Sequence, residues 1–478
     1  MNVAVASEPT AAADLGAVFH LQREAARREI SVAAAVRKDR LRRLLALVTD
    51  KTPDFEAAID ADFGHRSRHE TRLAEAFVVE SAIKHALRRL DRWMRPKRIA
   101  TELPFWPGMN RLMPQPLGVV GVISPWNYPL QLTLAPVVGA LAAGNRVMIK
   151  PSELSPHFAH LLASAVGERY AADEISVVVG GADVAQGFAA LPFDHLVFTG
   201  STRVGRLVAE AAARNLTPVT LELGGKSPAI VDRSADLAVA AQRIAYGKLL
   251  NAGQTCIAPD YVLCPRGQEE SFAEHFFRAA HRLYGTDPQN PDYTAIVSDA
   301  HYDRLAALLA EAHDKGARSD ARTSQAETWK RLRKFPPNLV FATTDAMRVR
   351  QEEIFGPILP IVPYESAAEA IAFVNARERP LALYWFGRDG AAREHVLRET
   401  VSGGVTVNDC LLHIAQENQP FGGVGASGMG AYHGEWGFRT FSKEKPVFYR
   451  PRASGTRLLH PPYGARFESL LALLRRVT

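Results

Sequence analysis

The sequence predicts an α/β fold built on a parallel sheet covered on both faces. Two observations carry that prediction. Short apolar runs rich in branched residues alternate with helical stretches from Val119 to Leu223, and runs of this kind read as strands buried on both sides. A second alternation extends from about Gly224 to Thr400. With 478 residues the chain has room for roughly two to three domains of about 150 residues each.

The elements follow in order. Residues 1–14 read as a loose tail. From Leu15 to about Trp93, arginines and leucines recur at helical spacing, predicting helices. Pro96, Pro104, Pro107, Pro114 and Pro116 then break the pattern and suggest an extended excursion. The strands expected next are Val119–Ser124, Arg146–Lys150, Ile175–Val179, His195–Thr199 and Val219–Leu223. Helices are expected over Leu130–Ala143, Ser155–Tyr170, Ala182–Leu191 and Thr202–Arg214. Right-handed crossovers make this half a Rossmann-like unit. The second α/β stretch offers strands at Ala229–Asp232, Tyr261–Cys264, Asn338–Ala342 and Ile358–Val362, and the chain returns to a strand at Val447–Tyr449.

Composition excludes several classes. Hydrophobic residues at 47% and charged residues at 23% fit a globular chain and not a disordered one. The net charge of +6 comes largely from arginines such as Arg23, Arg27, Arg28, Arg37, Arg40, Arg42 and Arg43, interleaved with Glu24, Glu29 and Asp39. That pattern reads as a solvated helix face and not as a nucleic-acid surface. Cys256, Cys264 and Cys410 form no CxxC pair. This argues against a disulfide scaffold or a structural zinc site and fits a reducing, cytoplasmic setting. No stretch reads as a signal peptide or a bilayer span. The basic, amphipathic segment Phe467–Val477 fits packing on the protein or on a partner subunit better than membrane attachment.

Two glycine patterns mislead. Gly423, Gly425 and Gly428 match GxGxxG without a preceding strand and read as a tight backbone loop. Gly225-Lys226-Ser227 lacks the first glycine of a phosphate loop, since position 220 is Thr220. The better cofactor turn is Phe198 to Gly205, which closes a strand and opens a helix. Free N–H groups and the dipole at such a helix start favour a pyrophosphate, and the Ser201 hydroxyl adds a donor. Lys150 and Glu153 follow the second strand and suit ribose hydroxyls; the carboxylate tilts the choice toward NAD. Glu222 ends the fifth strand beside Gly224 and Gly225, where a carboxylate suits a general base. Asn127 follows the first strand, and its amide suits a developing oxyanion. Glu352, Glu353 and Phe355 combine carboxylates and an aromatic suited to holding a ribose. Cys256 follows Asn251-Ala-Gly-Gln-Thr; alone it reads as a buried inert thiol, or as an exposed one with a depressed pKa near a helix end.

Taken together, PWNYP, KPSE, FTGSTRVG, LELGGKSP, NAGQTC, EEIFGP and PFGGVGASGMG resemble the aldehyde dehydrogenase superfamily, in its order, from about Asp91 to Pro446. The stretch after Asn408 is similar to the class 3-like branch and its bacterial coniferyl aldehyde dehydrogenases. Gln419 and Arg203 depart from the pattern, at positions where leucine and an acidic residue are usual.

The resemblance implies a Rossmann-like NAD-binding domain with the N-terminal helices over 15–222, with an oligomerisation excursion near 100–115. It further implies an α/β catalytic domain over 223–405, substrate-mouth loops and small oligomerisation β-strands over 406–450, and a tail over 451–478. Cys256 then stands as nucleophile, Glu222 as the base that activates water, and Asn127 with the Cys256 N–H as oxyanion hole. Lys150 and Glu153 match the adenosine ribose, Gly200, Ser201 and Gly205 the pyrophosphate turn, and Glu353 and Phe355 the nicotinamide ribose. The implied reaction takes an aldehyde, aromatic such as coniferyl aldehyde or else medium- to long-chain aliphatic, to its acid. It uses NAD, with NADP as the other option, through a cysteine thiohemiacetal and a thioester. Glu222 favours hydrolysis over release as an acyl-CoA, and a non-catalytic scaffold is disfavoured because nucleophile, base and cofactor turn are all present. A homodimer is implied. Trp126, Tyr128 and Trp436 suit a flat substrate or the core equally, and His413 suits either the mouth or a structural role.

Overall fold

The computed structural model describes residues 12–323, 325–452 and 458–477. The five strands expected between Val119 and Leu223 pair in parallel as Val119–Ile123, Arg146–Lys150, Ile175–Val177, His195–Thr199 and Val219–Glu222. In space they run 175–177, 146–150, 119–123, 195–199, 219–222. The chain thus winds outward from 119–123 and then returns to lay 195–199 on its other side. That reversal opens a crevice at the carboxyl ends of the two strands, where sheets of this type take ligands. Every residue of 119–123, 146–150 and 195–199 is buried, which is why their sequences are apolar without alternation.

The helix Pro129–Ala143 is apolar all round and almost wholly buried. It lies between that sheet and the N-terminal helices Ala34–Phe63 and Phe77–Trp93. Here one expectation fails. Arg37 and Arg40 are not on a solvated face but buried. Arg37 donates to the carbonyls of Val32 (2.9 Å) and Ala142 (3.1 Å). Arg40 pairs with Glu174 at 2.9 Å. Helical spacing alone does not separate a solvated arginine from one whose guanidinium satisfies carbonyls beneath the helix. The first helix begins at Ala12, so the end of the expected 1–14 tail is helical; residues 1–11 lie outside the described residues.

The second α/β stretch forms a seven-stranded sheet in the order 318–320, 338–341, 358–364, 261–265, 228–231, 382–386, 404–407. Ala382–Phe386 (ALYWF) is buried throughout yet was not among the expected strands. A third sheet joins Lys97–Ile99, Met109–Pro116 and Ser442–Tyr449, all antiparallel. The proline-rich excursion is therefore strand, and the last expected strand is longer than Val447–Tyr449. The C-terminal helix spans Ala465–Val477. Among the described residues no helix is long and apolar enough to cross a membrane.

The glycine loop after Pro420 is a tight backbone structure, as expected. Gly428–Met429 pairs antiparallel with the edge strand, placing Gly428 opposite Glu222, and the Leu223 N–H donates to the Ser427 carbonyl at 3.0 Å. Gly428 has φ 143°, and a Cβ there would lie 2.1 Å from the carbonyl oxygen of Leu221. Backbone cannot yield as a side-chain tip can. Gly428→Ala is expected to cost about 1–3 kcal/mol, seen as a lower midpoint in thermal unfolding; an unchanged midpoint would show that this edge pairing contributes nothing.

Candidate active site

The helix Leu237–Leu249 ends in a turn with three successive left-handed residues: Asn251 (φ 52°), Ala252 (φ 51°) and Gly253 (φ 76°). Non-glycine residues hold such angles only where the surroundings over-determine them. Gln254 does so: its Nε2 donates to the carbonyls of Asn251 and Ala295 (both 3.0 Å), and its Oε1 accepts from the Val297 N–H at 2.9 Å. Gly253 must be glycine for a second reason. A Cβ there would meet the Gly356 carbonyl oxygen at 2.5 Å, so the EEIFGP segment packs directly on NAGQTC.

Cys256 leaves this turn partly exposed, whereas Cys264 and Cys410 are buried core thiols. It lies in a pocket with about 530 Å³ of empty space, whose other walls include Ala74, Val78, Tyr128, Leu132, Leu411 and Ile414. Asn127 comes off the strand 119–123 and is buried. Its Nδ2 donates to the Gln254 carbonyl at 3.1 Å, and an amide nitrogen keeps a second hydrogen for a ligand. Glu222 is buried with neither carboxyl oxygen partnered, and burial pushes its pKa well above the usual carboxylate range. Its charge reaches both Cys256 and the buried Tyr432.

Glu353 lies over the glycine pair of LELGGK. A Cβ on Gly224 would fall 2.0 Å from its Oε2, and the Gly225 N–H donates to its carboxyl. Burial and the neighbouring Asp260 raise it to about 8. Phe355 (φ 52°) sits edge-on against Trp126 at 5.5 Å between centroids. Lys226 is engaged within the protein: it pairs with Asp260 and donates to the carbonyls of Val349 and Glu352, both at 2.9 Å. Asp260 also accepts from the Ile354 N–H at 3.0 Å. Neither Lys226 nor Asp260 stood out in the sequence as a clamp on this loop.

The expected depressed thiol is corrected. Cys256 is not at a helix N-terminus; burial, then the charges of Glu353 and Glu222, push its thiol up to about 12, against a smaller opposing effect of the Cys256 and Ile257 N–H groups. Of the three aromatics weighed for a flat substrate, only Tyr128 lines the Cys256 pocket. Trp126 packs on Phe63, His301 and Phe355, and Trp436 is exposed in the helix Gly434–Thr440. His413 hydrogen-bonds Thr406 Oγ1 through Nδ1 at 2.8 Å, while its Nε2 is unpartnered.

The residues present fit a dinucleotide. A cleft with about 1110 Å³ of empty space runs between Thr202 and Arg206 on one side and Gly224, Gly225, Lys226 and Glu353 on the other. At the helix start the N–H of Gly200 is spent on the Glu222 carbonyl and that of Gly205 on the Ser201 carbonyl. Gly205 serves close packing, since a Cβ there would meet Leu223 at 2.6 Å. The Ser201 hydroxyl caps the helix, accepting from the Val204 N–H at 3.4 Å. The Thr202 and Arg203 N–H groups, in the first turn, have no intrahelical partner. Lys150 is buried and donates to the Pro151 carbonyl at 2.6 Å, with Glu153 exposed nearby.

Residues 4–447 match the model of the aldehyde dehydrogenase family. The chain belongs to this family. Aldehyde dehydrogenases oxidise aldehydes with a nicotinamide cofactor, and the resemblance drawn from the seven motifs holds. A "probable coniferyl aldehyde dehydrogenase" of Pseudomonas aeruginosa is 49% identical over 96% of this chain and 95% of its own length. A substrate-bound AldH of Staphylococcus aureus superposes with a TM-score of 0.91 at 38% identity, over 96% of this chain and 99% of that one. An indole-3-acetaldehyde dehydrogenase of P. syringae, solved with NAD+, superposes with a TM-score of 0.83 at 27% identity, over 92% and 89% of the two chains.

A pH dependence follows from the raised thiol. Only the thiolate attacks an alkylating agent, so without cofactor the alkylation of Cys256 by iodoacetamide should climb with pH from 7 to beyond 10. Glu353→Gln removes a nearby negative charge and should shift that rise to lower pH. A rate already level below pH 8 would contradict the assigned environment.

Proposed function

We propose that this aldehyde dehydrogenase takes an aromatic enal of the coniferyl aldehyde type to its carboxylic acid, with Cys256 as nucleophile, Glu222 as base and Asn127 as oxyanion donor. The observation that carries the reading is Cys256 in an apolar pocket, two residues beyond the Gln254 carbonyl that takes the Asn127 amide, with an unpartnered Glu222 near enough for its charge to act on the thiol. The substrate class is supported by the name of the P. aeruginosa relative and by an apolar pocket with Tyr128 on its wall.

The chemistry follows from these groups. Cys256 must lose a proton that burial holds on it; an ionised Glu222 is the neighbouring carboxylate able to take it, and it must give that proton to solvent before it can act on water. The sulfur adds to the aldehyde carbon. The second Asn127 N–H and the Cys256 N–H receive the oxyanion in a water-poor pocket, where such donors act most strongly. A nicotinamide cofactor, when bound, supplies the hydride acceptor. Cys256 is left as a thioester, and Glu222 takes the proton of the water that cleaves it. A base whose pKa lies above the usual carboxylate range pulls that proton more strongly once it is ionised.

Gly224, Gly225, Glu353 and Phe355 hold the nicotinamide end in this reading, with Gly200, Ser201 and Gly205 shaping the pyrophosphate turn and Lys150 and Glu153 at the adenosine ribose. Glu153 favours NAD over NADP by repelling a 2′-phosphate. The exposed Phe105, Trp106, Phe448 and Tyr449 on and beside the third sheet support a homodimer through that element. The unpaired thiols support a cytoplasmic setting.

Three measurements test the reading. Reduced-cofactor absorbance across cinnamyl, benzyl and alkyl aldehydes, with NAD and NADP, should give the highest kcat/KM for a cinnamyl aldehyde; a preference for long alkyl aldehydes would overturn the substrate assignment. Cys256→Ser should abolish turnover, and Asn127→Ala should lower kcat about 10²–10³-fold. In Glu222→Gln the acyl-enzyme should accumulate and be visible by intact-protein mass spectrometry, whereas unchanged turnover would remove Glu222 from the mechanism.

A further inference from the structure

Three charged residues of the N-terminal helical region are buried where they meet the Asn127 segment and the nucleophile turn: Arg66, Glu70 and Glu75. The arginine has no water-facing surface on its side chain. Its Nη1 donates to the backbone carbonyl of Asn127 at 2.9 Å and lies 3.0 Å from Glu75 Oε1. The guanidinium is held between the rings of Phe63 and Tyr128, at 4.9 and 5.0 Å from their centroids. Glu75 Oε2 in turn accepts from the N–H groups of Leu130 (2.7 Å) and Gln131 (3.2 Å), at the start of the helix that Asn127 precedes. The Asn127 carbonyl accepts a second bond from Asn251 Nδ2 at 3.0 Å, so both of its lone-pair directions are used.

We propose that Arg66 is a positioning residue: through the backbone carbonyl of Asn127 it fixes the peptide that aims the Asn127 amide at the oxyanion formed on Cys256. This rests on the oxyanion role assigned above. Burying an arginine with Nε and Nη2 unpartnered is costly, and the carbonyl it reaches belongs to the residue whose side chain must stay aligned. Asn251 holds the same carbonyl from the nucleophile turn, and Glu70 accepts from the Asn251 N–H at 2.9 Å. The donor and the nucleophile are thereby referred to one carbonyl oxygen. Misplacement on the order of 1 Å can cost about 10²-fold in rate.

The test is a double-mutant cycle in the full-length enzyme. Arg66→Lys keeps the charge and loses the planar fork. Arg66→Met/Glu75→Gln removes both charges, so that neither is left buried alone. Each should lower kcat about 10–100-fold, with cofactor affinity, read by quenching of protein fluorescence, unchanged within about twofold. In the Asn127→Ala background the same changes should lower kcat less than about threefold, because the group they position is gone. Equal losses in both backgrounds, or wild-type kcat in a folded Arg66 variant, would overturn the proposal and leave the oxyanion role standing. Wild-type kcat in Asn127→Ala by itself would overturn the oxyanion role and this inference with it.

Discussion

Gln254 ties the nucleophile turn to the rest of the molecule, and the site depends on that knot. Its side chain spends both donor hydrogens and its acceptor on backbone, at Asn251, Ala295 and Val297, and its own carbonyl accepts from the side chains of Asn127 and Asn251. Each bond is buried, so losing one leaves a desolvated polar group that costs about 1–3 kcal/mol. That stake is what holds Asn251 and Ala252 in left-handed angles that neither side chain favours. The strained turn leaves Cys256 half-buried at the edge of the core while its preceding residues stay locked in it.

A second constraint is charge in a dry place. Burial raises the proton affinity of Cys256, Glu222 and Glu353 alike, and the charges of Glu353 and Glu222 raise that of Cys256 further. The resting site therefore favours the neutral thiol, and the sulfur takes on charge only with the chemistry. The Asp260–Lys226 pair, just below, carries the ionic load and pins the backbone of the Glu352–Ile354 segment.

Much of the site was legible because its residues stand at strand ends. Asn127, Lys150, Thr199–Ser201 and Glu222 each follow an apolar run, and parallel strands bring all their carboxyl ends to one edge. The misread residues share a different feature. Arg37 and Arg40 lie on a helix at spacings that a solvated face also shows, and periodicity cannot tell whether a guanidinium meets water or a carbonyl beneath it; Arg66, in the turn between two helices, Glu70 and Glu75 belong to no motif that marks them out. The thiol shows a related limit: a glycine turn allows burial or exposure, and its proton affinity depends on which carboxyls the other motifs deliver beside it. Trp126 and Trp436 suit a pocket or the core equally in the sequence; in the structure one braces Phe355 and the other is exposed.

By itself the sequence determined the alternation of strands and helices, the family, and the identities of the groups at the strand ends, because these rest on local pattern and on motifs whose order is preserved along the chain. Only the tertiary structure decided which of those groups meet, which are neutral, and what holds them. The seven-stranded order, the packing of Gly253 on Gly356, the pairing of Gly428 with Glu222 and the contact of Arg66 with Asn127 all join residues distant in sequence. Such contacts arise from close packing between layers, and no periodicity within a single segment encodes them.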